Sequence, residues 1–257
     1  SNWTLSYDLK LEEIAYAERF GYDEVWVGEH HTGAYENIPA PDIFLAKASA
    51  LTSRIALGTG TINLPYHDPF MVAERLAFLD HLTHGRLIYG FGGGGLVSDK
   101  LFFQVGDEAS PRMREAIDII ELLFSTTDYV DFDGKFWQLD HKRIQVRPYQ
   151  EHPQFSIAGM SGTHNFELCG ERGYAALSIY FTPGSDRIDL RAIDANPGGG
   201  GNAFTFTDQA QQQMLSTDVM MSHAAGFVNG KLQHTLGSGR KFRLRRRSPR
   251  RSARHAP

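Results

Sequence analysis

The chain has 257 residues, of which 41% are hydrophobic and 22% charged. This is the balance of a globular protein with one large α/β domain or two small ones. No apolar run approaches the roughly 18 residues of a membrane span, no signal-peptide pattern opens the chain, and the single cysteine favours a reducing, cytoplasmic location. Residues 237–257 hold nine Lys or Arg and no acid, which leaves 17 basic against 30 acidic residues before them.

Segments with strand and helix patterns alternate from residue 10 to residue 181. The spacing of apolar residues predicts helices over 10–20, 41–53, 69–83, 110–125 and 165–173, and strands over 23–29, 54–64, 85–94, 154–158 and 174–181. A hairpin is predicted over 128–140 with its turn at Asp133-Gly134, and 101–105 reads as an apolar loop packing on the strands. Alternation with short connections is typical of a parallel α/β fold.

Two of the predicted strands end in polar side chains suited to chemistry. Glu29, His30 and His31 follow the first strand, and Asn63, His67 and Asp68 close the second. The C-terminal ends of parallel strands meet at one edge of a sheet, so we expect these groups to lie near each other. Neighbouring histidines at a strand end point to opposite sides, so we predict no metal site. Cys169 lies on the apolar stripe of its helix and is predicted to be buried and inert.

The glycine-rich stretch 90–95 formally satisfies the pattern G-x-G-x-x-G. A lone match of this kind is weak, and no helix is predicted to open directly after it, as a dinucleotide site requires. A nicotinamide site is therefore disfavoured. A loop that contacts a phosphate or a substrate is the better interpretation.

The segments VWVGEHH, LGTGTINLPYHDP and MVAERLAFLDHLTHGRLIYGFGGG together resemble the luciferase-like flavin-dependent monooxygenases, over about residues 9–181. The resemblance implies a (β/α)8 TIM barrel that binds FMN, or the deazaflavin F420, at its C-terminal face. It also implies that reduced flavin comes from a separate flavin reductase, that one oxygen atom of O2 enters a small organic substrate, and that the chain forms a homodimer.

The resemblance also carries site residues onto this sequence. His30 matches the active-site histidine, and Gly60-Thr61 matches a non-prolyl cis peptide under the flavin ring. The remaining expected contacts are Asn63 at the pyrimidine edge, Gly93, Gly94, Ser161, Gly162 and Thr163 at the phosphate, and Glu29, His31, Tyr66 and Tyr180 around the substrate. Glu29 and His31 are expected to orient His30.

The chain departs from the barrel pattern at both ends. The first strand is weak, reduced to residues 1–7, and no seventh or eighth strand–helix unit follows residue 181, so we expect an incomplete barrel. We predict a barrel domain over 1–183, an unrelated β-prone segment over 184–236 and a disordered basic tail over 237–257.

The β-prone segment has a short likeness of its own. Residues 187–206 resemble the C-terminal region of serralysin-type metalloproteases, but the sequence has no HExxH zinc helix, so no protease activity is predicted.

Two other functions remain open from the sequence. One is a catalytically inactive flavin binder or truncated barrel fragment. The other is a nucleic-acid binder acting through the basic tail, although a solvated tail is favoured because aromatic residues are not interleaved with its charges.

Overall fold

The computed structural model describes residues 2–33, 36–159, 163–178, 205–206 and 219–222. Its helices are α1 (Trp3–Arg19), α2 (Pro41–Ser49), α3 (Pro69–Leu82), α4 (Val97–Phe102), α5 (Ala109–Ser125) and α6 (His164–Arg172). Its strands are β1 (Glu24–Val27), β2 (Ala56–Thr59), β3 (Ile62–Asn63), β4 (Leu87–Gly92), β5 (Val130–Asp133), β6 (Gln138–Lys142), β7 (Phe155–Gly159), β8 (Ala175–Ser178), β9 (Thr205–Phe206) and β10 (Val219–Ser222). Among these helices, none has the length and apolar character to cross a membrane.

One mainly parallel sheet organises the described residues. Its strand order is β10-β1-β2-β4-β7-β8-β9, and β3 pairs with β4 alongside β2. Strands β1, β2, β4, β7 and β8 run parallel, whereas β10 is antiparallel to β1 and lies along its outer edge. The predicted α/β alternation with a parallel sheet is therefore confirmed. The parallel strands form a half barrel.

The two faces of the sheet carry different side chains. Odd positions such as Val25, Leu57 and Phe91 belong to the large core that the helices cover. Trp26 and Ile88, at even positions on β1 and β4, form a second, small cluster with Leu177 of β8. This alternation follows from the two-residue period of a strand. It leaves the second face with few side chains near the ends of the strands.

The beginning of the chain differs from the prediction. Residues 3–7, read as the remnant of a first strand, are the first turns of α1. The Asn2 side chain accepts a hydrogen bond from the backbone N–H of Leu5 at 3.2 Å and so caps the helix. The helix ends at Arg19, and Gly21 just beyond it has a φ of +82°, which suits glycine.

The segment after the glycine-rich stretch also differs. A six-residue helix, α4, forms where an apolar loop was expected, and Leu101 and Phe102 are exposed rather than packed on the strands. The hairpin β5–β6 is confirmed, and Gly134 donates to the carbonyl of Trp137 at its turn. Cys169 is buried as predicted, and burial raises the pKa of its thiol to about 12.

The predicted boundary near residue 184 and the basic tail 237–257 lie outside the described residues. Within the segment 184–236, the structure describes β9, parallel to β8, and β10, antiparallel to β1.

Candidate active site

The C-terminal ends of β1, β2 and β4 converge on one edge of the sheet. Between β2 and β3 the chain passes through a cis peptide bond at Gly60-Thr61, as the resemblance implied. The N–H of Gly60 donates to the carbonyl of Val27 at 2.7 Å, which ties this bend to the end of β1. The polar residues that follow β1 are therefore brought beside those that follow β3.

Glu29 is the centre of a hydrogen-bonded cluster at this edge. One of its carboxylate oxygens, Oε1, lies 2.7 Å from His31 Nε2 and 2.8 Å from His67 Nε2. The other, Oε2, accepts from the backbone N–H of Asn63 at 2.9 Å. Burial raises the pKa of this carboxyl. The hydrogen bonds of His31 and His67, the attraction to His67 and the Asn63 N–H outweigh burial and hold the pKa below its ordinary value. Glu29 is therefore a buried carboxylate.

The contacts of Glu29 correct one expectation. Its polar contacts go to His31, His67 and Asn63, and not to His30, so Glu29 and His31 do not orient the first histidine. The sequence reading paired residues that are neighbours in the chain. At a strand end, however, neighbouring side chains point to opposite sides, and His30 and His31 acquire separate partners.

The ligand-type atoms of Glu29, His31 and His67 lie within 4.8 Å of one another. This is a spacing that a metal ion could bridge. The contacts of 2.7 and 2.8 Å are ordinary hydrogen-bond lengths, and they account for the arrangement, so we assign no metal to the cluster.

His30 lies between two other carboxylates. Its Nε2 is 2.8 Å from Glu36 Oε2, and its Nδ1 is 3.5 Å from Asp99 Oδ2. Burial lowers the pKa of His30, but the hydrogen bond and charge of Glu36 and the charge of Asp99 outweigh it and raise the pKa above the ordinary value. Sequence reasoning missed both partners. Asp99 is 69 positions from His30 and no spacing motif links them.

Tyr66 lies between the glycines that follow β4 and the histidines of the site. Gly93 and Gly94 are half-buried, and Gly94 has a φ of +82°. A Cβ at Gly94 would overlap the Tyr66 hydroxyl. The Tyr66 ring stacks on Phe103 with a centroid distance of 4.4 Å, and His31 meets Phe103 edge-on at 4.7 Å. Burial, together with the negative charges of Asp99 and Glu29, raises the pKa of Tyr66, so its phenol stays protonated.

Asn63 is already engaged within the protein. Its side-chain N–H donates to the carbonyl of Glu29 at 3.0 Å, and its amide oxygen accepts from the Thr61 hydroxyl at 3.1 Å. Among the residues that the structure describes, the other N–H of this amide is left for a further acceptor.

The predicted phosphate residues are only partly described. Thr163 stands at the N-terminus of α6, and its side chain makes no capping hydrogen bond to that helix. Ser161, Gly162 and Tyr180 lie outside the described residues.

Comparison with known proteins identifies the family. Residues 6–195 match the family described as luciferase-like monooxygenase. The chain belongs to this family. The resemblance seen in the sequence is thereby confirmed; the likeness of residues 187–206 to serralysin-type proteases stays a prediction.

Several relatives with curated descriptions are monooxygenases. The 4-hydroxyprotoasukamycin monooxygenase of Streptomyces nodosus subsp. asukaensis is 40% identical over 72% of this chain and 50% of the relative. The limonene 1,2-monooxygenase of Rhodococcus erythropolis is 37% identical over 71% of this chain and 46% of the relative. The oxygenase component of a flavin-dependent trigonelline monooxygenase from Acinetobacter baylyi is 30% identical over 63% of this chain and 46% of its own length. The chain spans about half the length of these relatives.

Solved structures share the fold. The monooxygenase RslO1 of Streptomyces bottropensis has a TM-score of 0.69 at 24% identity, over 81% of this chain and 68% of that one. The oxygenating constituent of 3,6-diketocamphane monooxygenase from Pseudomonas putida, in complex with FMN, has a TM-score of 0.64 at 22% identity, over 70% of this chain and 54% of that one. An F420-dependent secondary alcohol dehydrogenase with an F420-acetone adduct has a TM-score of 0.63 at 21% identity, over 72% of this chain and 58% of that one.

Proposed function

We propose that this chain carries the flavin site of a monooxygenase, which places one oxygen atom of O2 in a small, largely apolar organic substrate and releases the other as water. The observation that carries the proposal is the edge of the half barrel described above. There the histidines that follow β1 and β3 stand beside strand ends that carry few side chains. Two further findings support the proposal: the family of the chain and the monooxygenases among its relatives.

The residues at this edge suit a flavin. The cis peptide at Gly60-Thr61 is the place where the resemblance puts the flavin ring, and Gly92 beside it packs closely on Thr61, since an added Cβ would overlap the Thr61 hydroxyl oxygen. We assign the free N–H of Asn63 to a carbonyl of the ring, and backbone N–H groups of Gly93 and Gly94 to the phosphate. Thr163, with Ser161 and Gly162, would hold the phosphate at the N-terminus of α6, where unpaired N–H groups favour an anion.

The side chains around the ring have distinct tasks in this proposal. His30 handles the protons of the reaction, since an imidazole titrates near working pH. Glu29 holds His31 and His67 by hydrogen bonds, and His31, Tyr66 and Tyr180 face the substrate. Bound reduced flavin supplies the electrons that activate O2.

The cofactor and the partners are part of the proposal. FMN is favoured by the monooxygenase relatives, and F420 is the second candidate because F420-dependent enzymes share the fold. A separate flavin reductase is proposed as the partner, since one relative is named as an oxygenase component. A homodimer is proposed from the resemblance, and sedimentation velocity tests it.

The test is oxygen labelling. The protein is supplied with FMN, a flavin reductase and 18O2, together with alicyclic alkenes and ketones such as limonene and diketocamphane. We expect a product with one 18O atom, and a rate lower by about 10²-fold or more in His30→Gln. Flavin binding without any labelled product would favour the inactive flavin binder, and no flavin binding would reject both.

A further inference from the structure

Both ring nitrogens of His30 face carboxylate oxygens. Nε2 is 2.8 Å from Glu36 Oε2, and Nδ1 is 3.5 Å from Asp99 Oδ2. An ionised carboxylate can only accept hydrogen bonds, and a neutral imidazole has a single N–H. A neutral His30 would therefore turn a lone pair toward one of the two carboxylates. Only the doubly protonated ring offers a hydrogen to each.

Asp99 is fixed in the direction of the ring by other groups. Its side chain is 1% exposed, and its Oδ1 accepts from the backbone N–H of Thr32 at 2.9 Å and from the Thr32 hydroxyl at 2.5 Å. Within the described part of the chain, neither Oδ2 nor His30 Nδ1 makes a hydrogen bond, so the two atoms meet as an ion-pair contact at 3.5 Å. A buried carboxylate with a bare oxygen is costly unless a cation compensates its charge. The ion-pair neighbour of that oxygen is His30 Nδ1.

The other charged groups at this edge are turned elsewhere. His31 and His67 each hydrogen-bond Glu29, and the protonated phenol of Tyr66 carries no charge. Among the described residues, the charges that act on His30 are thus those of Glu36 and Asp99.

We propose that Asp99 and Glu36 are positioning residues that hold His30 as an imidazolium, so that the ring enters the reaction as a proton donor rather than as a base. The direction of the pKa shift of His30 agrees with this geometry. A proton that leaves His30 is replaced from solvent, because the two carboxylates continue to favour the charged ring. The catalytic consequence rests on the proposed function, whereas the protonation state of His30 does not.

The experiment is a pH titration of the histidine rings by NMR in the full chain without cofactor. The His30 resonance is assigned by its absence in His30→Gln. In the wild type we expect a titration midpoint above the ordinary value of a histidine side chain, about 6.5. In Asp99→Asn we expect a downward shift of the midpoint. The asparagine still accepts from Thr32 and can donate to a neutral Nδ1, so this variant should fold.

Two further variants make the result specific. Glu36→Gln, at a half-buried position, should also lower the midpoint, and it keeps the test available if Asp99→Asn fails to fold. Asp42→Asn is the control, because this buried carboxylate pairs with Arg75 instead. A wild-type midpoint at or below the ordinary histidine value of about 6.5, or a midpoint unchanged in both carboxylate variants, would overturn the proposal.

Activity provides a separate readout. If the chain turns over, the rate should fall as the pH rises through the His30 midpoint, and this fall should move to lower pH in Asp99→Asn. A raised midpoint without flavin binding would reject the proposed function and leave the ion-paired His30 standing. Flavin turnover with an unshifted His30 midpoint would support the proposed function and reject the ion-paired His30.

Discussion

Glu29 connects three segments of the candidate site through a single side chain. A glutamine at this position can accept hydrogen bonds with its oxygen, but its NH2 group then faces the N–H of Asn63. We expect Glu29→Gln to lower the free energy of unfolding by about 2 kcal/mol, the usual cost of leaving a buried polar group unpaired. Urea denaturation at pH 7 measures it, with Glu74→Gln on α3 as the matched control. Equal midpoints for wild type and Glu29→Gln would contradict this account.

The stabilising effect of Glu29 should depend on pH in one direction. Its pKa is lower in the folded state than the ordinary 4.5. A group with a depressed folded pKa stabilises fully above its unfolded pKa and loses that effect as the pH falls through the folded value. The difference in stability between wild type and Glu29→Gln should therefore shrink below about pH 4.5.

Gly94 combines a left-handed backbone with a crowded neighbour. Gly94→Ala adds a Cβ at a φ of +82° and directly against Tyr66, whereas Gly173→Ala adds one at a φ of +72° into open space. The backbone conformation alone costs roughly 1–2 kcal/mol. We expect Gly94→Ala to destabilise the protein more than Gly173→Ala, measured by thermal unfolding. Equal effects would mean that Tyr66 moves away freely.

Residue-level predictions from the sequence succeeded where strand geometry alone decides the position. His30, Asn63 and His67 were expected at one edge because parallel strands end there, and the structure brings them there. The partners of each histidine could not be predicted, because Glu36 lies in the loop after β1 and Asp99 on the short helix α4, and neither segment leaves a periodic pattern in the sequence. The cis peptide at Gly60-Thr61 came from family resemblance, since no spacing rule indicates it.

The side chain of Glu18 links helix α1 to the segment that precedes strand β2. The carboxylate, near the end of α1, accepts from the backbone N–H groups of Ser53, Arg54 and Ile55 ahead of β2. Although burial raises its pKa, these hydrogen bonds lower it to about 2. We expect Glu18→Gln to lower the thermal midpoint at neutral pH, and the difference from wild type to fade between about pH 4.5 and pH 2. Glu12→Gln, exposed on the same helix, should have no such effect.

Element boundaries show the limits of periodicity. The start of α1 was missed because Trp3, Leu5 and Leu9 are about half exposed, so they mark no buried stripe. Helix α4 was missed because six residues are too few for a helical period to be seen. The helix α5 was predicted almost to the residue, since its apolar stripe is long and fully buried.

At the scale of the whole molecule, the parallel sheet followed from the alternation of strands and helices, whereas the barrel was implied by the family resemblance of long, ordered motifs. The antiparallel strand β10 beside β1 was not predicted, because sequence alternation says nothing about which distant segment covers a sheet edge. The substrate was equally beyond the sequence, since pocket shape depends on loops rather than on strand patterns.

The central claim is that the edge of the half barrel binds a flavin. The most direct test is a calorimetric titration of the purified chain with reduced FMN and with reduced F420 under anaerobic conditions. We expect one of the two to bind with one site per chain, with affinity weakened by Gly94→Ala and unchanged by Gly173→Ala. Failure of both cofactors to bind the wild-type chain would contradict the account.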